Sequence, residues 1–246
     1  MLYLIGLGLN RDGISKFGLE ALGRCKKIYL ENYTVNFPYP LSDLQELAIK
    51  KTITLADREK VESLELVDEA KKLDVALLVY GSPLTATTHI SLIQECKRLG
   101  VKYKVIYSAS ILDAVAESGL QLYKFGKTAS MPKWDPAKNF TPDSFMEIIK
   151  QNQSIDAHTL LLVDINLWST DDLEQLKQSA KNHNFKLGKI VLCQALGTSK
   201  AKFIYQTIKE LEENTKIHPP YCFIIPAKLH FIENEILQEF VEKFSY

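Results

Sequence analysis

The chain opens with short apolar runs separated by amphipathic stretches. Leu2–Leu9 is an almost unbroken apolar run that empties into Gly, Asn and Asp, which predicts a buried strand and a turn. A helix is expected near Lys16 to Cys25 and a second strand over Ile28–Tyr33. Leu44–Ile49 and Val61–Leu73 carry their charges on one face and predict helices. Val75–Tyr80 is continuously apolar, as in a strand covered on both faces of a parallel sheet, and stops at Gly81-Ser82-Pro83. A helix over Thr87–Leu99 ends at Gly100. Strand Tyr103–Tyr107 then leads into Ser108-Ala109-Ser110, whose hydroxyls suit the N-cap of a following helix.

Such alternation predicts a mostly parallel α/β sheet, in which ligands collect beyond the carboxyl ends of the strands. Three segments occupy such ends: Gly6–Leu9, Gly81–Leu84 and Ser108–Ile111. Between Ala129 and Asp143, Pro132, Pro136 and Pro142 mark a connecting segment. Beyond it, strands are expected at His158–Ile165, Lys189–Leu196 and Tyr221–Pro226, with helices near Thr170–Asn182, Ala201–Asn214 and Glu233–Phe244. The expectation is two α/β domains, residues 1–110 and 111–246, with no internal repeat or low-complexity tract.

Composition narrows the classes. Of 246 residues, 46% are hydrophobic and 24% charged, as in ordinary globular proteins. No stretch of eighteen apolar residues predicts a membrane span, and the apolar N-terminus lacks the basic region and cleavage site of a signal peptide. Lys+Arg and Asp+Glu balance at 30 each, so no basic field points to nucleic acid. Cys25, Cys96, Cys193 and Cys222 form no CxxC pair, which favours reduced, buried thiols over a metal site or disulfides. The arginines, at 11, 24, 58 and 98, all lie in the N-terminal half. An anionic group bound by the C-terminal half must therefore meet lysine, hydroxyls or backbone amides.

Candidate chemistry sits at the strand ends. Gly6-Leu7-Gly8-Leu9 begins like a dinucleotide fingerprint, but Arg11 stands where its third glycine should be, and Glu31 is the one acidic residue placed for a ribose. A tight turn is the better explanation of these glycines. In Gly81–His89 three threonines and a histidine open a helix, which suits either capping or a polar ligand. Asp164, at a strand end, reads as a loop cap or a base. His230 reads as a structural residue or a proton acceptor. No Ser-His-Asp order or metal cluster stands out.

Five blocks in this order and spacing resemble the diphthine synthase family, of the tetrapyrrole-methylase-like superfamily: Tyr3–Leu9, Gly81–His89, Leu122–Ser130 (LYKFGKTAS), His158–Ile165 and Ile224–Glu233 (IIPAKLHFIE). The LYKFGK and KLHFIE blocks separate this family from the cobalamin and sirohaem methylases. The resemblance implies two α/β domains with S-adenosyl-L-methionine in the cleft between them, and a cytoplasmic homodimer. It also implies methylation of the amino group of the modified histidine of translation elongation factor 2. Carried over residue by residue, it implies a cofactor pocket of Leu9, Ser82, Thr85, Ser110, Ile111, Val163, Leu196 and Tyr221.

This sequence departs from the family pattern in places. Ser82 stands where the family has the aspartate of Gly-Asp-Pro, Gln194-Ala195 where it has Ala-Arg, and Tyr221 where a histidine follows the paired prolines. The connection after Asp164 is also shorter. Methyl transfer from a sulfonium needs alignment above all, so a dedicated base is not required; Asp164, His89 and His230 are the candidates if one exists. The alternatives are a methylase of a tetrapyrrole or other small acceptor, and a weakened paralogue that only binds elongation factor 2.

Overall fold

The computed structural model describes residues 1–48, 51–167 and 171–241. They form two compact units, Met1–Ala114 and Val115–Tyr246. The expected starts of a helix at Thr170 and ends of helices at Ile49 and Phe244 lie outside the described residues.

The first unit contains β1 (Leu2–Gly6), α1 (Lys16–Arg24), β2 (Lys27–Glu31), α2 (Leu41–Gln45), β3 (Ile53–Ala56), α3 (Arg58–Glu62), α4 (Glu65–Ala70), β4 (Val75–Val79), α5 (Ile90–Leu99), β5 (Tyr103–Ile106) and α6 (Ile111–Ala114). Its five strands are all parallel, in the order β3-β2-β4-β1-β5. Alternate strand residues supply two cores. Leu2, Leu4, Val75 and Leu77 pack with α3, α4 and α5, while Tyr3, Ile5, Ala76 and Leu78 pack with α1 and α2. This double cover explains the unbroken apolar runs of β1 and β4. Two expectations are corrected. Val61–Leu73 is not one helix, because Leu64 adopts φ +65 and splits it into α3 and α4. Strand β3 was missed, since Leu55 is exposed and the segment lacks a continuous apolar signal.

The second unit contains β6 (Ala129–Met131), α7 (Phe145–Ser154), β7 (Thr159–Val163), α8 (Asp171–Asn182), β8 (Ile190–Gln194), β9 (Lys202–Gln206), α9 (Ile208–Asn214), β10 (Tyr221–Ile225) and α10 (Phe231–Glu239). The sheet order is β6-β7-β10-β8-β9. Only β6 and β7 run parallel; the other neighbours are antiparallel. Leu161, Phe223, Leu192 and Ile204 pack on α7, α8 and α9. The helix expected over Ala201–Asn214 is instead β9 followed by a short α9. Thr207 ends the strand and caps the helix, accepting from the Glu210 amide at 3.3 Å.

Candidate active site

In the first unit β4, β1 and β5 are parallel neighbours, so their carboxyl ends emerge side by side. The loops that follow are fastened together. Gly8 N–H donates to the Gly81 carbonyl at 3.1 Å and Gly81 N–H to the Gly8 carbonyl at 2.9 Å. Both glycines have φ near +70° (71 and 70), a region disfavoured for side-chain-bearing residues. Ser108 Oγ donates to the Gly13 carbonyl at 2.8 Å, and the Tyr80 hydroxyl to the Leu9 carbonyl at 3.0 Å. The serine hydroxyls do not cap α6 as expected. The carboxylate of Asp113 reaches back instead, accepting from Ser110 N–H at 2.7 Å and Ser110 Oγ at 3.0 Å.

Leu9, Ser82 and Ser110 are buried at this edge, with Thr85 and Ile111 half-buried beside them. A Cβ placed on Gly81 would meet Ala109 O and Ser110 Cα at 3.8 Å and Leu9 Cδ2 at 4.0 Å, and nothing nearer. A methyl-sized group over the Gly81 backbone would thus lie in ordinary contact with the loops that follow β1 and β5. The residues present fit a cofactor of the expected kind.

Two other candidates in this unit are consumed structurally. Glu31 accepts from Tyr33 N–H and Thr34 N–H at 2.8 Å each and from Thr34 Oγ1 at 2.6 Å, so it closes its own turn and is not available to a ribose. His89 is 1% exposed, with Nδ1 at 2.9 Å from the Pro83 carbonyl, so it does not serve as a solvent-linked base.

In the second unit the end of β7, the end of β8 and the start of β10 share one sheet edge, because Tyr221 lies opposite Gln194 and Cys222 opposite Leu162. Val163, Leu196 and Tyr221 gather there. The Tyr221 hydroxyl donates to the Leu167 carbonyl at 3.3 Å. Beside it lies Asp172, which the sequence did not single out. Asp172 is 0% exposed; Oδ1 accepts from Leu173 N–H at 2.7 Å, and the carboxylate lies against the Tyr221 hydroxyl. Burial pushes its carboxyl up to about 6. Burial first, and then the Asp172 charge, pushes the Tyr221 phenol well above its ordinary range.

Asp164 acts as a loop cap, accepting from Asn166 N–H at 2.9 Å and Asn166 Nδ2 at 3.1 Å. His230 is exposed and its ring lies 4.3 Å from that of Phe231. Among the described residues no cluster of His, Cys, Asp or Glu is arranged to hold a metal ion.

The LYKFGK and KLHFIE blocks meet around Glu233, which is 0% exposed. Its carboxylate accepts from Lys124 Nζ at 2.5 Å, His230 N–H at 2.8 Å, Gln121 N–H at 3.0 Å and His158 Nε2 at 3.2 Å. His158 Nδ1 accepts from Ala227 N–H at 2.9 Å, so its ring proton resides on Nε2 and is directed at Glu233. Burial alone would raise the Glu233 carboxyl, but Lys124 and the two backbone amides overrule it and hold it down at about 2. A polar network so completely satisfied fixes three distant segments in one register.

A family model described as Tetrapyrrole (Corrin/Porphyrin) Methylases matches residues 1–212. Diphthine synthase from Methanococcus aeolicus is 36% identical over 259 residues, covering 100% of both chains. The chain belongs to the diphthine synthase family. It is thereby an S-adenosylmethionine-dependent methyltransferase. Diphthine methyl ester synthase from Saccharomyces cerevisiae is 36% identical, covering 98% of this chain and 90% of its own. A crystal structure of diphthine synthase superposes with a TM-score of 0.88 at 31% identity, covering 98% of this chain and 95% of that one. The superfamily match ends within α9, whereas the diphthine synthase matches continue through β10 and α10. Glu233, the centre of the buried network, lies in that extra segment.

Proposed function

We propose that the protein transfers methyl groups from S-adenosylmethionine to the amino group of the modified histidine of translation elongation factor 2. Leu9, Ser82, Thr85, Ser110 and Ile111, gathered at one strand edge of the first unit, would hold the cofactor there. The observation that carries this reading is the fastening of the three strand-end loops to one another at Gly8, Gly81 and Ser108. When bound, the cofactor supplies a methyl group activated by a sulfonium.

The chain's own contribution is alignment, which supplies up to about 7–11 kcal/mol of a barrier in ideal cases. Rigid loops deliver it: the backbone at Gly8 and Gly81 is locked by paired bonds, and Leu9 is held through Tyr80. His89 and Asp164 are engaged by neighbouring groups, so the acceptor amine, its pKa lowered by burial beside a cation, would release its proton to solvent.

We further propose that the enzyme works as a cytoplasmic homodimer. Its four cysteines are free and buried, which suits a reducing compartment. No helix among the described residues is long and apolar enough to cross a membrane.

The test is mass spectrometry of elongation factor 2 carrying the unmethylated precursor, after incubation with protein and cofactor. Base-stable mass gains of one or more methyl groups are expected; a base-labile gain would reveal ester formation as well. No gain, with S-adenosylhomocysteine leaving the melting temperature unmoved, would refute the reading. A thermal shift without methylation would favour the binding-only alternative, and transfer to added porphyrinoids the small-acceptor one.

A further inference from the structure

Between β4 and α5 the chain must pass from the strand end to the helix through the segment that carries Ser82 and Thr85. Thr85 N–H donates to the Ser82 carbonyl at 3.0 Å, closing a turn. The next residue, Ala86, is exposed and has φ +53, where its Cβ crowds the backbone. An alanine stays in that region only when its surroundings enforce it, and such outliers gather at functional sites.

The Pro83 carbonyl is bonded across this turn. It accepts from Thr87 Oγ1 at 2.7 Å and faces His89 Nδ1 at 2.9 Å. A carbonyl can only accept, so His89 carries its proton on Nδ1. The other nitrogen, Nε2, is buried without a partner among the described residues. Leaving a buried acceptor unmet is unfavourable, and an apolar side chain would fill the same space without that cost. The polar work of this imidazole is therefore confined to the bond with Pro83.

We propose that His89 is a positioning residue for methyl transfer, holding the Ser82–Thr88 loop in the strained form that presents Ser82 and Thr85 to the cofactor. The inference rests on the reading that these two residues line the cofactor pocket. His89 touches no reacting atom; it acts through the loop.

Calorimetric titration with S-adenosylhomocysteine, with kcat and KM for methyl transfer, tests it on three variants. His89→Leu removes the donor, and binding is expected to weaken about five- to tenfold, the range of one hydrogen bond. His89→Asn places an amide donor near the Nδ1 position and should recover affinity to within about twofold of wild type. Thr87→Val removes the other donor to the same carbonyl at a half-buried position and should weaken binding by a similar factor, which keeps the test open if His89→Leu does not fold. Leucine and asparagine variants that both bind like wild type, or that both weaken equally, would overturn the role assigned to this bond. So would wild-type affinity in Thr87→Val. Failure of the wild-type protein to bind would instead refute the pocket reading, and this inference with it.

Discussion

Asp172 is a carboxylate buried where an apolar or neutral group would be more stable, and Asp172→Asn should therefore stabilise the protein at neutral pH. Its carboxyl stands at about 6 in the folded chain, against 3.8 for the ordinary group. Two pKa units correspond to about 3 kcal/mol. The sign follows from which state holds the proton more tightly. The folded state does, so acid favours folding through this group: its penalty is absent below about pH 4, grows as pH rises towards 6, and is constant above. Attraction to the N-terminus of α8 offsets roughly 0.5–1 kcal/mol, which the asparagine forgoes. Asparagine keeps the acceptor for Leu173 N–H and offers its amide towards the Tyr221 hydroxyl. The net expectation at pH 7.5 is about 2 kcal/mol of added stability, or roughly 4–8 °C in melting temperature. Thermal denaturation of both proteins between pH 5 and 8 measures it. The gain should shrink towards pH 5, where wild-type Asp172 is itself protonated. A variant less stable at pH 7.5, or a gain independent of pH, would refute the reasoning.

Glu233→Gln should cost about 3 kcal/mol or more, since it leaves Lys124 facing a neutral group in a largely buried network. Because the Glu233 carboxyl is held at about 2, its contribution is complete above about pH 4.5 and fades as pH falls; the variant's acid denaturation should lack that slope, and an unchanged acid profile would count against the network. Gly126→Ala should destabilise by about 1–3 kcal/mol in chemical denaturation, because a Cβ there would come within 2.2 Å of Asn152 Oδ1, which accepts from Lys127 N–H. Ser82→Asp should tighten S-adenosylmethionine binding several-fold in calorimetry, since a charge-assisted contact to a sulfonium exceeds that of a hydroxyl; equal or weaker binding would show that the pocket is built differently at this position.

Sequence and tertiary structure divide the account by physical range. Local pattern sufficed where burial is symmetrical: the runs of β1 and β4 declared themselves because both faces of a parallel strand are covered. It also brought out the three glycine- and serine-bearing strand ends, whose special backbone needs leave a mark on residue choice. Pattern failed at β3 and β9, which are partly exposed, and at Leu64, whose left-handed backbone carries no glycine to announce it. The antiparallel pairing of the second sheet was equally invisible, because strand direction is a property of connections and not of runs. Residue roles needed the folded chain most. His89, Glu31 and Asp164 each looked available as chemistry, and each proved to be bonded to backbone groups nearby. Conversely, nothing along the chain singled out Asp172, and Lys124, His158 and Glu233 stand up to 109 positions apart with nothing local to say that they meet. A carboxyl group acquires an unusual pKa only from the burial and neighbours that folding imposes. Residue type is set along the chain, but desolvation and long-range hydrogen bonding exist only once the chain has closed on itself.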